Sequence, residues 1–504
     1  MSAHAPATTA SPQQTSPATS TDGSSGASGS GRSRLTRDRV AVWVLALVCF
    51  LAWSAYAVSR HRQYLTAGHD LGIFDQAIRA YAHFHAPLVP IKGVDYSILG
   101  DHFHPILLVA VPLYWLFDDP RTLLVLQAAL LAASIPIVHR FARRRMPPGW
   151  AVALALGYAL GWPLAGMVDF DFHEIAFGVP ILAAAVDALD RRSDRALVVW
   201  SVALLLVRED LGAVVLVLGL LRAMRRPRRL GLALAALGAV TVVVVTTVVI
   251  PAFSTRGQFA YWTFDALGDD LASSLRTLLT DPIGVATTFV TPAVKAQTLA
   301  MLLVPLLFLP LGSPYVLLTV PLLAERFLNS RPALWSSHFH YDAAVWVLLV
   351  LAMVDAGGRW GIWRRRRLRA FVVGWLVVTQ LLAIQLGVSP MRRLVDGSAW
   401  DLTGRMRDQA HVVALIPPDV CVSVDDRIAP HLVRTNRVAL PGIPQPTPDY
   451  VVVDLTKRTG GYPKATSTGV FVDALLAGYT EVYQGAGVHL LRAPQVTPRA
   501  ECRP

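Results

Sequence analysis

The sequence predicts a polytopic α-helical membrane bundle of about eleven spans (nine to thirteen), followed by a small extracytoplasmic α/β domain. Three observations predict it. Of 504 residues, 54% are hydrophobic and only 16% charged, too few charges for the surface of a soluble chain this long. Apolar runs recur throughout, with mean hydropathy +0.46. Arginine clusters punctuate those runs, and the last hundred residues change to short β-like runs between turns. The net charge of +12 and pI near 9.9 do not argue for nucleic acid, because the arginines sit at the ends of apolar runs, where topology accounts for them.

Residues 1–35 are Ser, Thr, Pro, Gly and Ala and read as a disordered cytoplasmic tail. "RSRLTRDR" leads into "VAVWVLALVCFLAWSAYAV", a run long enough to cross a bilayer, and its flanking arginines place the N-terminus in the cytoplasm. Basic clusters at 139–145, 190–195, 222–229 and 359–369 mark further cytoplasmic turns. That ruler forbids two crossings between 103 and 138. The proline-bearing run 103–118 is therefore expected to lie at the outer interface or re-enter, and 121–138 to cross. Further spans are expected at about 150–168, 175–189, 196–207, 211–223, 229–251, 297–311, 313–323, 343–357 and 370–387. The membrane module thus covers 36–390, and an odd span count puts 391–504 outside. There, "VCVSVDD" and "PDYVVVDL" read as buried strands, "IAPHLVR" and "GVFVDALLAGY" as helices, and "TEVYQGAGVHLLRA" as a hairpin. Cys49, Cys421 and Cys502 match no metal-ligand spacing, and a Cys421–Cys502 disulfide is open if that region is extracytoplasmic.

This topology collects the unusual polar residues on the outer side. "GHDLGIFDQAIRAY" carries Asp70 and Asp75 just after the first span. A carboxylate in low-dielectric surroundings is costly unless paired or used. Asp70 can take a proton from an attacking hydroxyl, or cap the helix starting near Leu71. Asp75, four residues before Arg79, suits an ion pair with it or support for the site. "GDHFHP" brings Asp101, His102 and His104, and "VDFDFHE" brings Asp169, Asp171, His173 and Glu174. These sets can hold a divalent cation or meet phosphate oxygens; no metal is identified by their spacing. Arg208, Glu209 and Asp210 interrupt an apolar stretch, and "HFHY" supplies His338, His340 and Tyr341. Arg208, His338 and His340 are candidates for a phosphate, as are Arg256 and Lys295 in the loop 252–296. No HExxH motif and no Gly-rich nucleotide loop occur.

In order, "HDLGIFDQ", "GDHFHPILLVAVPLYWLF", "DFHEIAF", "REDLGAVV" and "HFHYDA" resemble DUF2079, a family of bacterial multi-span membrane proteins, over about residues 40–454. The family in turn resembles the GT-C glycosyltransferases. That resemblance implies a GT-C-like bundle in the bacterial plasma membrane. It implies transfer of a sugar from a polyprenyl-phosphate donor to a cell-envelope glycan or lipid acceptor, with inversion. It puts Asp70 at the base position and 103–118 at the juxtamembrane helix. The Ala- and Arg-rich composition fits an actinobacterial cell wall. Two other readings stand beside it: a transporter or flippase of a lipid-linked or anionic substrate, and a non-catalytic envelope assembly protein.

Overall fold

The computed structural model describes residues 29–456, 464–496 and 499–502. Of the expected tail, 1–28 lie outside the described residues, and Gly29 already begins helix α1 (Gly29–Arg62). Val40, Val44, Leu47 and Leu51 form an exposed apolar stripe on α1, while Val42, Ala46, Trp53 and Tyr56 are buried. That is the pattern of a helix with one face to the bundle and one to hydrocarbon.

After α1 come a π-helical turn (Gly68–Gly72) and α2 (Ile73–Ala82). Residues Pro105–Ala110 form a 3-10 turn that runs into α3 (Val111–Leu116). This twelve-residue piece is too short to cross, as expected for an interfacial segment. The bundle continues with α4 (Arg121–Arg143), α5 (Pro148–Ala159), α6 (Trp162–Asp169), α7 (Ile175–Asp190), α8 (Asp194–Leu205), α9 (Leu211–Ala223) and α10 (Arg229–Val244). Further helices run Asp342–Arg359 and Arg366–Gln385. The former is buried from Asp342 to Gly357 and is the central strut, packed on α6 and α7.

Among the described residues, four helices are long and apolar enough to cross a membrane: 37–62, 121–143, 229–253 and 366–385. The count rises to six if the bent pairs α5–α6 (41°) and 282–306 (74°) are each one span. This is fewer than the eleven expected. Helices such as α8 and α9, at 12 and 13 residues, fall well short of the ~20 a crossing needs.

The bundle has two chemically distinct ends. At one, Asp187 gathers Arg140, Arg144 and Arg191, and Asp38 pairs with Arg143 at 2.6 Å. At the other lie the end of α1, the start of α4, the α6–α7 turn, the α8–α9 turn and His340. On this second end sits a five-stranded sheet in the order β2-β1-β3-β5-β4. Its strands are β1 (Cys421–Val424), β2 (Arg437–Ala439), β3 (Tyr450–Asp454), β4 (Thr480–Gly485) and β5 (Val488–Arg492). β1 is parallel to both β2 and β3 and fully buried, while β5 is antiparallel to β3 and β4. Of the expected helix through 428–434, only a 3-10 turn, Ala429–His431, forms. A disulfide joins Cys421 to Cys502 and ties the end of the chain to β1.

Candidate functional site

Asp70 sits in the middle of the π turn that follows α1. It caps neither neighbouring helix, since the N-cap positions belong to Ala67 and Gly72. Its side chain is 27% exposed, and Oδ1 lies 3.4 Å from His173 Nε2. His173 is stacked on His340, with ring centroids 3.6 Å apart and planes 20° from parallel. Phe170 lies against both rings, at 5.3 and 5.1 Å. Tyr341 borders His340 at 4.1 Å, and Arg326 lies over the Tyr341 ring. Among the described residues, neither ring nitrogen of buried His340 has a hydrogen-bond partner.

The backbone around Asp70 is held from two sides. The Ala67 N–H donates to Asp171 Oδ2 at 2.6 Å, and Asp171 also meets Arg60 at 3.2 Å. From the sheet side, Gly68 N–H donates to the Asp426 carbonyl at 2.7 Å, and His69 N–H to Asp426 Oδ1 at 2.9 Å. Asp426 follows β1, at the carboxyl end of a parallel strand, where open α/β sheets present their polar groups. A Cβ on Gly68 would stand 2.7 Å from Ala429 Cβ, so the approach of the two segments requires glycine. The α6–α7 turn is fixed by Gln127, which donates to the carbonyls of Met167 and Asp171 and accepts from His173 N–H.

These contacts set the electrostatics. Burial, opposed by Arg60 and reinforced by Asp70, raises Asp171 to about 6. Burial pushes Asp426 up to about 7, with the charges of Asp70 and Asp171 adding to it. Burial pulls His173 down, but the Asp70 carboxylate more than offsets this and holds it above its ordinary value. His340 is driven well down by burial and by His173.

A second polar group lies alongside. His102 Nδ1 meets Glu209 Oε1 at 2.6 Å, Glu209 Oε2 accepts Phe103 N–H, and the His102 ring stacks on Tyr261. Burial lowers His102, but Glu209 overcomes it and raises the imidazole to about 9; Glu209 in turn, despite burial, is held down to about 2. Asp101 is enclosed by Lys92 at 2.5 Å, Tyr96 and Tyr261. Arg208 spends its fork on Asp210 (2.7 and 2.6 Å) and reaches Glu174 at 3.5 Å. Buried His104 and His173 both touch Phe74, which joins the two groups.

Several expected site residues are placed elsewhere. Asp75 is wholly buried, bonded to Arg79 at 3.0 Å and to the Tyr114 hydroxyl at 2.6 Å, and ties α2 to α3. It has no surface left for substrate. Asp169 is taken up by Tyr56 and Arg60. Arg208, with both donor arms on Asp210, is not a free phosphate ligand. His338 is exposed, outside the stacked pair. Lys295 donates to the Thr288 carbonyl and covers Trp335. Sequence reasoning missed Asp426, Arg60, Gln127 and Tyr261; only the acid pair ending "VCVSVDD" carried a local signal, at the end of a strand. Among the described residues, the one group close enough to hold a metal is Cys421, Asp449 and Cys502, whose two sulfurs are joined to each other.

A family profile described as "Predicted membrane protein (DUF2079)" matches residues 60–487. No curated protein matches the chain. Among solved structures, ArnT from Cupriavidus metallidurans bound to undecaprenyl phosphate is 14% identical, with 93% of this chain and 100% of that chain covered and a TM-score of 0.49. The apo form of the same protein is 14% identical, with 90% and 99% covered and a TM-score of 0.45. Likeness at that level leaves fold and chemistry to be read from the chain itself.

Proposed function

We propose that this chain, which belongs to the DUF2079 family of predicted membrane proteins, is a GT-C-type glycosyltransferase. It moves a sugar from a polyprenyl-phosphate donor to a cell-envelope glycan or lipid on the outer face of the plasma membrane. The observation that carries this reading is the seat of Asp70. It lies just past an apolar helix, on a backbone clamped by Asp171 and Asp426, beside a stacked imidazole pair. A rigidly held base near a protonatable histidine is what attack by a hydroxyl requires.

In the step proposed, the acceptor oxygen attacks the anomeric carbon from the face opposite the lipid phosphate, inverting it. The bond from that carbon to the phosphate oxygen breaks, and its electron pair leaves with the phosphate. The acceptor proton passes to Asp70. The departing phosphate is already a stable anion, so catalysis needs base assistance and charge stabilisation rather than a strong acid. With Arg208 committed to Asp210, His340 is the group proposed to meet a phosphate or sugar oxygen, through ring nitrogens that have no partner among the described residues. The Cys421–Cys502 disulfide favours an oxidising, extracytoplasmic setting for this end.

The test supplies purified full-length protein with polyprenyl-phosphate sugars and membrane-derived acceptors. Wild type is expected to transfer sugar, and Asp70→Asn to lose about a hundredfold or more in rate. Undiminished transfer by the variant removes Asp70 from the chemistry. Passage of the lipid-linked sugar across a vesicle with no new glycosidic bond replaces the enzyme by a transporter.

A further inference from the structure

A cleft of about 470 Å³ opens between the end of α1, the start of α4 and the sheet domain, and Asp70 is not among its lining residues. Its walls include His61, Arg62, Arg121, Pro430, His431 and Arg434. The His431 ring is stacked between His61 (4.0 Å) and Tyr64 (3.9 Å), which fixes the floor and fastens the domain to α1. Three guanidinium groups face one carboxylate, Asp119. Asp119 is spent: it accepts Nε and Nη2 of Arg121, both at 2.7 Å, and the Arg121 N–H. Arg62 and Arg434 are exposed, and among the described residues neither has a carboxylate partner. Arg62 on the membrane helix and Arg434 on the sheet domain therefore give the cleft a net positive lining, which a planar guanidinium pair offers to the oxygens of an anion. The volume suits a head-group-sized ligand, and the cleft lies where two membrane-length helices end, at Arg62 and Arg121.

We propose that this cleft is a second ligand site that binds a phosphate group, with Arg62 and Arg434 as its two arms. It is independent of the transfer reaction assigned to Asp70. The phosphate can belong to a lipid head group at the membrane surface or to a free soluble phosphate, and the two sources separate experimentally.

The test uses full-length protein in a neutral detergent. Native mass spectrometry follows retention of phosphatidylglycerol against phosphatidylcholine, and calorimetry follows inorganic pyrophosphate. Wild type and the double variant Arg62→Gln/Arg434→Gln are compared. Both residues are exposed and without carboxylate partners, so the melting temperature is expected to hold. Phosphatidylglycerol retained at least fivefold better than phosphatidylcholine, with the preference lost in the variant, supports the site with a lipid source. Pyrophosphate binding that falls at least fivefold in the variant, without a lipid preference, supports it with a soluble source. Binding that is the same in wild type and variant for both probes, or binding of neither by wild type, overturns it.

Discussion

His173 is where the site's charge is decided. Paired with Asp70, its imidazolium is favoured despite burial, whereas the neighbouring His340 stays neutral. A raised histidine pKa gives stability that is complete below the unfolded value of about 6.5 and fades as pH rises through the folded one. The melting-temperature difference between wild type and His173→Gln is therefore expected to be largest near pH 6 and to shrink toward pH 9. In the transfer proposed, the same proton governs Asp70 as the base. While His173 is charged it holds the carboxylate, and its deprotonation frees Asp70 to accept. The acid limb of kcat/KM is expected to move to lower pH in His173→Gln, and an unmoved limb would separate His173 from the base. Asp426 runs the other way. Its folded pKa of about 7 lies above the ordinary 3.8. Below about 4 both states are protonated; between about 4 and 7 only the unfolded chain ionises; above that the cost is constant. Stability thus falls across that window, by at most about 4 kcal/mol at 1.36 kcal/mol per unit. Asp426→Asn keeps an oxygen for the His69 N–H, and urea titrations at pH 5 and 7.5 are expected to show a smaller fall than in wild type.

At the scale of elements, the π turn is a short bridge between the membrane helices and the sheet, and its weak point is Gly68. Gly68→Ala places a Cβ against Ala429. The expected cost is about 1–3 kcal/mol, read as faster amide exchange across residues 67–72 with little change in α4 or β3. Such junctions separate what the sequence showed from what it hid. Asp75 and Arg79 stand one helical turn apart, so their pairing was legible from spacing alone. The shortness of the piece 105–116 was legible too, because arginine bias left no room for a second crossing. Strands β1 and β3 announced themselves as apolar runs bounded by turns. Three-residue β2 did not, being too short to show a period and placed by parallel pairing to β1. Nor did the return of Asp426 to Gly68 and His69, a contact across more than 350 residues that no local pattern encodes. Arg208 misled for the opposite reason, a local one. Its type suggested a phosphate, while its actual partner, Asp210, lay two residues away and closed the fork.

For the whole molecule, the two ends make opposite demands on their surroundings. The end near Asp187 and Asp190 is crowded with arginine: Arg140, Arg144, Arg145 and Arg191 all pair there. Basic residues near the ends of spans are retained on the cytoplasmic side. The other end carries the disulfide, which a reducing cytoplasm opposes. Both arguments support the orientation proposed above, with Asp70, the stacked histidines and the sheet outside. Exposed positions at each end report it: His338 beside the stacked pair, and Met224 just past α9, 77% exposed. In a Cys49→Ser background, His338→Cys is expected to react with a membrane-impermeant maleimide on intact cells, and Met224→Cys only after permeabilisation. The reverse pattern would put the disulfide in a reducing compartment and Asp70 on the wrong side for an envelope acceptor, so one labelling experiment bears on topology and chemistry together.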